Sequence, residues 1–239
     1  MATPVIDAEA LRQFLDKATP YFSSDYLSAV SEAMARRTRA LQVDWPGWPA
    51  LWDRTPVGRK LRAETRQRWQ PELNRLLPGI RAGDGDRVMA DLARVPERPP
   101  WLTDWVTYWL HAGHPELVWW ARWIYRPDNR TGALLLIVDD PTRILNAGGL
   151  AATYRLMGDA TRYLGSVLAL THRLDDVEES YRPAVALASV YAVYMFTMAA
   201  WKMTEEFTKV LPPLPVVIRT LLGLTRWEGK HFGAKGQTD

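Results

Sequence analysis

The densest chemistry in this sequence lies between positions 54 and 68. There Arg54, Arg59, Lys60, Arg62, Arg66 and Arg68 set six basic residues against the single acid Glu64. Arg59, Arg62, Arg66 and Trp69 recur at intervals of 3, 4 and 3, so on one helix they form a single stripe. Guanidinium forks grip phosphate oxygens in pairs, and an indole offers a face on which a base can stack. Such a stripe suits a nucleic-acid backbone, and Arg36, Arg37, Arg39 and a basic C-terminal tail from Gly229 add to the charge. The competing reading is a solvated face paired with acids from another segment or another protein. No helix-turn-helix or zinc module accompanies the arginines, so the expected contact is electrostatic and indifferent to base sequence.

A second constellation is His111-Ala-Gly-His114, with Glu116 nearby and the pair Asp139-Asp140 brought close by a turn. Imidazoles and carboxylates together can gather a divalent cation. However, Gly113 and Pro115 read as a helix stop, and Asp140 before Pro141 reads as a helix N-cap. The chain has no cysteine, no Ser-His-Asp order, no phosphate-binding loop and no dinucleotide fingerprint. Catalysis, a metal and a cofactor are therefore not expected.

Tryptophan is the third signal. Six of the twelve tryptophans fall between Trp101 and Val138. Trp101, Trp105 and Trp109 share one helical face, and Trp119, Trp120 and Trp123 follow. Each large ring can fill a core, line a pocket or anchor a subunit interface. In a strand the neighbours Trp119 and Trp120 point to opposite faces, so one face needs a second covering. The expected interface with another chain is accordingly Trp105, Trp109, Trp119, Trp120 and Trp123.

These residues must be held by a mainly α fold, a multi-helix bundle in two lobes. Helices are expected over Asp7–Lys17, from a cap at Ser24, over Pro56–Trp69, over Pro71–Leu77, after Asp84, and over the tryptophan helix. Trp45-Pro-Gly-Trp-Pro-Ala-Leu-Trp52 reads as a packed loop, because its prolines and glycine oppose a regular element. Pro96-Glu-Arg-Pro-Pro100 reads as a linker, which divides the chain into lobes 1–98 and 99–239. Residues 117–138 hold two apolar runs around Pro-Asp-Asn-Arg-Thr-Gly and are expected to form a β-hairpin. A helix from Asp140 to about Leu174, loosened at Gly148-Gly149, precedes an apolar helix from Pro183 to about Val210. A last amphipathic piece spans Val216–Trp227.

A length of 239 residues, 47% hydrophobic and 24% charged, is that of a folded protein with a real core, and the net charge of +3 permits an anionic partner without requiring one. The uncharged stretch Pro183–Trp201 approaches the lower limit for crossing a bilayer, about 18 residues, but its aromatic residues sit mid-segment, as in a buried bundle helix. No secretory leader is visible, so a cytoplasmic location is expected. The reading is a nucleic-acid-binding accessory protein that self-associates through its C-terminal half. Its rivals are an assembly protein whose arginines meet acidic protein partners and a peripheral membrane protein.

Overall fold

The computed structural model describes residues 4–202 and 212–227. Over these residues the chain is a helical assembly without a sheet, and its only β pairings are the isolated bridges Ile6–Val138 and Arg126–Thr131. The helices are α1 (Ala8–Ala18), α2 (Ser24–Val43), α3 (Trp48–Asp53), α4 (Ala63–Ala82), α5 (Gly85–Ala93), α6 (Pro100–Gly113), α7 (Ala133–Ile137), α8 (Thr142–Leu145), α9 (Leu150–Leu170), α10 (Arg182–Lys202) and α11 (Leu214–Leu221). The expected C-terminal tail and the end of the apolar helix beyond Lys202 lie outside the described residues.

Local chemistry accounts for most of the boundaries. Asp7 caps α1 by accepting from the amides of Glu9 and Ala10, and Ser23 caps α2 through Tyr26. Asp84 caps α5 through the Arg87 amide. α4 ends at Gly83, whose φ of 69° suits glycine and whose amide bonds back to Gly79 and Ile80.

Several elements differ from the sequence expectation. The cap of α2 is Ser23, one residue before the expected Ser24, and the helix expected from Asp140 to about Leu174 is divided into α8 and α9 by the turn at 146–149. The Trp45–Trp52 stretch is not wholly irregular, because Pro49 occupies the first turn of α3, where a missing amide hydrogen is harmless. The arginine segment is not one helix. A 3-10 turn spans Gly58–Lys60, the chain is extended at Leu61 and Arg62, and α4 then runs unbroken through Pro71 and Pro78.

A further difference is the hairpin expected over 117–138, which is not formed. Its return limb, Ala133-Leu-Leu-Leu-Ile137, is a helical turn, as suits its alanine and three leucines, which have high helix propensity. The first amides of that turn donate to the carbonyls of Trp123 and Ile124 at 2.8 and 3.0 Å, so the incoming limb caps a helix instead of pairing as a strand. Gly132 enables the junction with φ 113°, and a Cβ there would lie 2.6 Å from the Ile124 carbonyl oxygen.

The core is continuous across the proline-rich linker. Leu51, Leu73 and Ile80 before it and Trp105, Trp109 and Leu134 after it belong to one buried cluster. A second cluster joins α2, α10 and α11 through Val30, Met34, Val185, Ala188 and Ile218. α10 serves both: Leu187 and Val190 face the first cluster, Val185 and Ala188 the second. A helix packed on two sides needs apolar residues all round, which explains its composition. The segment Glu179–Ala199 is also long and apolar enough to cross a membrane, and half of its apolar window is buried inside the protein.

Candidate functional site

The arginine segment begins with a turn that the helical reading overlooked. The buried Thr55 hydroxyl donates to the Trp52 carbonyl and accepts from the Gly58 amide at 2.8 Å. Gly58 is required because a Cβ there would lie 2.3 Å from the Trp52 carbonyl oxygen. Thr-Pro-Val-Gly over 55–58 is the sequence signal for this turn. It breaks the expected stripe and puts Arg59 and Lys60 on the 3-10 turn, Arg62 on the extended residue before α4, and Arg66, Arg68 and Trp69 on α4 itself.

These side chains divide into two groups. Arg66 is structural: its Nη1 pairs with Asp53 at 3.1 Å and its Nε donates to the Leu61 carbonyl at 3.2 Å, clamping the break to the end of α3. Trp69 is half-buried and meets Trp101 edge-on at 5.9 Å, with Arg68 over its ring at 5.8 Å. By contrast, Arg59, Lys60, Arg62 and Arg68 are exposed, and none has a carboxylate partner among the described residues. Elsewhere arginines pair locally: Arg12 with Glu9 and Asp16, Arg36 with Glu32, Arg94 with Asp91, and Arg162 with Asp159. Arg62 also precedes a helix whose first amides receive no side-chain cap, so those donors stay open to an anion.

The fold adds residues to this surface that spacing could not reveal. The 3-10 turn Leu224–Arg226 places Arg226 in electrostatic reach of Arg59. Next to it, Trp227 carries the Arg54 guanidinium 4.4 Å from its ring centroid. The patch is therefore assembled from the α3–α4 connection and the chain after α11.

Ten of the tryptophans form a continuous ring network. Trp69, Trp101, Trp52, Trp105 and Trp109 follow one another at 5.4 to 6.3 Å, and Tyr108 carries the series on to Trp119 and Trp123. Trp45, Trp48 and Trp227 join from the sides. Of the expected interface residues, Trp105, Trp109 and Trp119 lie in this chain's own core, whereas Trp120 and Trp123 are half-buried. Without a strand there is no second face: Trp120 packs edge-on against Tyr125 at 5.3 Å.

The histidines and aspartates are not brought together. His111 is buried, with Nδ1 2.9 Å from the Leu117 carbonyl, while His114 bonds the Arg81 carbonyl through Nε2 at 3.1 Å. Asp140 accepts from Thr142 as a turn cap, and among the described residues no three metal-ligating side chains cluster. Burial, with Arg37 nearby, holds the His111 imidazole down at about 3, so it is neutral at physiological pH.

Asp104 is a titratable group that residue spacing could not single out. The Trp119 indole donates to its Oδ1 at 2.8 Å. Burial nevertheless pushes the carboxyl up to about 7, against that hydrogen bond and Arg122, which both favour the charged form.

No protein-family profile, curated protein or solved structure matches this chain.

Proposed function

We propose that this protein binds nucleic acid through electrostatic contact with the sugar–phosphate backbone, using the surface around the N-terminus of α4. The observation that carries the reading is that Arg59, Lys60, Arg62 and Arg68 stand exposed and without carboxylate partners, on a protein whose other arginines mostly pair locally. Unpaired guanidinium groups retain their forks for phosphate oxygens. Arg54 over Trp227 and Arg68 over Trp69 add cation-and-ring pairs beside which a base can stack. Arg66 and most of the Trp69 ring serve the fold. The test is a titration of labelled single- and double-stranded oligonucleotides at two salt concentrations. Binding must weaken with salt and be reduced when Arg59, Lys60 and Arg62 become alanine.

One observation favours a second reading, an assembly protein. Asp84, Asp86, Glu116 and Asp159 line an open groove beside α9, with Arg155 and Arg162 among them. Asp86 and Asp159 pair there with Arg155 and Arg162, which leaves Asp84 and Glu116 as the surplus acid toward the basic patch of a second copy, and Tyr163 and Leu170 on α9 are exposed. This reading places self-association between the basic patch of one copy and the groove beside α9 of another. It predicts a sedimentation coefficient that falls with added salt in the absence of nucleic acid.

A further inference from the structure

Around the Tyr108 hydroxyl, positive charge collects without any carboxylate to balance it among the described residues. Arg37 reaches in from α2 with 2% of its surface exposed. Its Nη1 donates to the Leu222 carbonyl at 2.9 Å, while Nε and Nη2 are buried without partners. Its guanidinium lies 5.9 Å from the Tyr108 ring centroid. Arg226, beside the Trp227 that bonds Tyr108, is half-buried, with Nη1 buried and unpartnered. Burial and the charge of Arg59 both oppose the protonation of Arg226, and Tyr108 is also within electrostatic reach of it. The hydroxyl itself accepts from the Trp227 indole at 2.8 Å, which leaves its own proton free to donate.

This arrangement is unfavourable as it stands. A buried guanidinium held by one carbonyl and the nearby tyrosine, with no counter-charge, has lost more hydration than these contacts return, and arginine does not escape by losing its proton. Arg59, within electrostatic reach of Arg226, adds repulsion. Gly223, at φ 72°, lets the chain after α11 close on Tyr108, because a Cβ there would lie 3.0 Å from the ring. An oxyanion would relieve every one of these penalties at once. It supplies acceptors for the three unpartnered nitrogens and neutralises the like charges.

We propose that Arg37, Arg59 and Arg226, with the Tyr108 hydroxyl, form a binding site for a single phosphate-type oxyanion. The proposal deepens the nucleic-acid reading, on which the strand as source of the phosphate rests. The phosphate is either the terminal group of a bound strand or free inorganic phosphate.

The experiment uses the full chain. Thermal unfolding is followed in inorganic phosphate and in chloride at matched ionic strength and pH, for the wild type and for an Arg59→Gln/Arg226→Gln variant. Both substitutions fall outside the core, and the variant also corrects for the general stabilising effect of phosphate salts. The expected result is a larger phosphate-dependent rise in Tm for the wild type than for the variant, increasing with phosphate concentration as ligand binding requires. Equal rises in the two proteins overturn the site. A parallel titration compares oligonucleotides with and without a 5′-phosphate. A preference of about tenfold for the phosphorylated strand, lost in the variant, assigns the site to a strand end. No preference, with the Tm difference retained, assigns it to free phosphate. Salt-sensitive oligonucleotide binding without a phosphate-dependent Tm difference overturns the site and leaves the nucleic-acid reading standing. The Tm difference without oligonucleotide binding does the reverse.

Discussion

The Trp227 indole N–H donates to the Tyr108 hydroxyl at 2.8 Å, joining residues 119 positions apart in the sequence. That bond fixes the chain after α11 against α6 and so brings Arg226 and Trp227 to the surface that holds Arg54 and Arg59. Replacing Tyr108 with phenylalanine removes the acceptor and strands the indole donor. It is expected to lower stability by about 1 kcal/mol, read from urea denaturation. It should also weaken oligonucleotide binding, because Arg226 is no longer held in place.

Trp105 and Trp109 are wholly buried in this chain's own core. Trp105→Ala is therefore expected to cost about 3 to 5 kcal/mol of stability at any protein concentration, the scale for truncating a core tryptophan. Trp120→Ala, at a half-buried position, should cost clearly less. If Trp105→Ala instead left unfolding unchanged and altered only the sedimentation coefficient, the ring would belong to a subunit interface.

Gly132 bears the change of direction that replaces the expected hairpin. Alanine there must accept φ near 113° and a Cβ 2.6 Å from the Ile124 carbonyl oxygen. Gly132→Ala is expected to cost about 2 kcal/mol or more, measured by chemical denaturation. Gly148, with open space around it, is the control and should tolerate alanine with little change.

Two buried groups give stability opposite dependences on pH. Asp104 titrates near 7 in the folded protein, above its unfolded value. Its contribution is therefore fully present at pH below the unfolded carboxylate range and is lost as pH rises through 7. His111 titrates near 3, below its unfolded value. Its contribution is present above the unfolded imidazole value and is lost as pH falls toward 3. Asp104→Asn should make stability fall more steeply between neutral pH and pH 4, and His111→Asn should flatten that fall. A set of Tm values across this range for the three proteins checks both signs, and matching slopes in all of them would contradict the assignment.

The sequence carried the helices more fully than the connections. The helix starts near Asp7 and Asp84 and the apolar spacing of α2 and α6 were all legible because each depends on residues within one or two turns. The 117–138 segment misled because Pro-Asp-Asn-Arg-Thr-Gly is turn chemistry whatever follows it. Only tertiary packing decides that Ala133–Ile137 coils instead of extending. The arginine stripe misled for a different reason. Its 3, 4, 3 spacing is helical, but the Thr55–Gly58 turn breaks the segment between Arg59 and Arg66. Arg226 was beyond any spacing argument, and Arg37, expected with Arg36 and Arg39 to add to the basic surface, is buried instead, since what matters is where α2 and the chain after α11 meet α6.

Arg66 supplies an internal contrast for the basic surface. It pairs with Asp53 at the break before α4. Arg66→Ala is expected to lower stability by up to about 1 kcal/mol, as for a partly exposed ion pair, with a smaller effect on oligonucleotide affinity than Arg62→Ala. Urea denaturation and anisotropy titrations of the two variants side by side separate the clamp from the contact.

The most direct test of the central claim is the salt dependence of oligonucleotide binding, read by fluorescence anisotropy for the wild type and the Arg59/Lys60/Arg62 triple alanine variant. The wild type is expected to bind, with affinity falling steeply as salt rises. In the folded variant the salt slope should drop by about 1 for each phosphate contact removed. Absence of binding by the wild type at low salt, or an unchanged slope in the variant, would contradict the account.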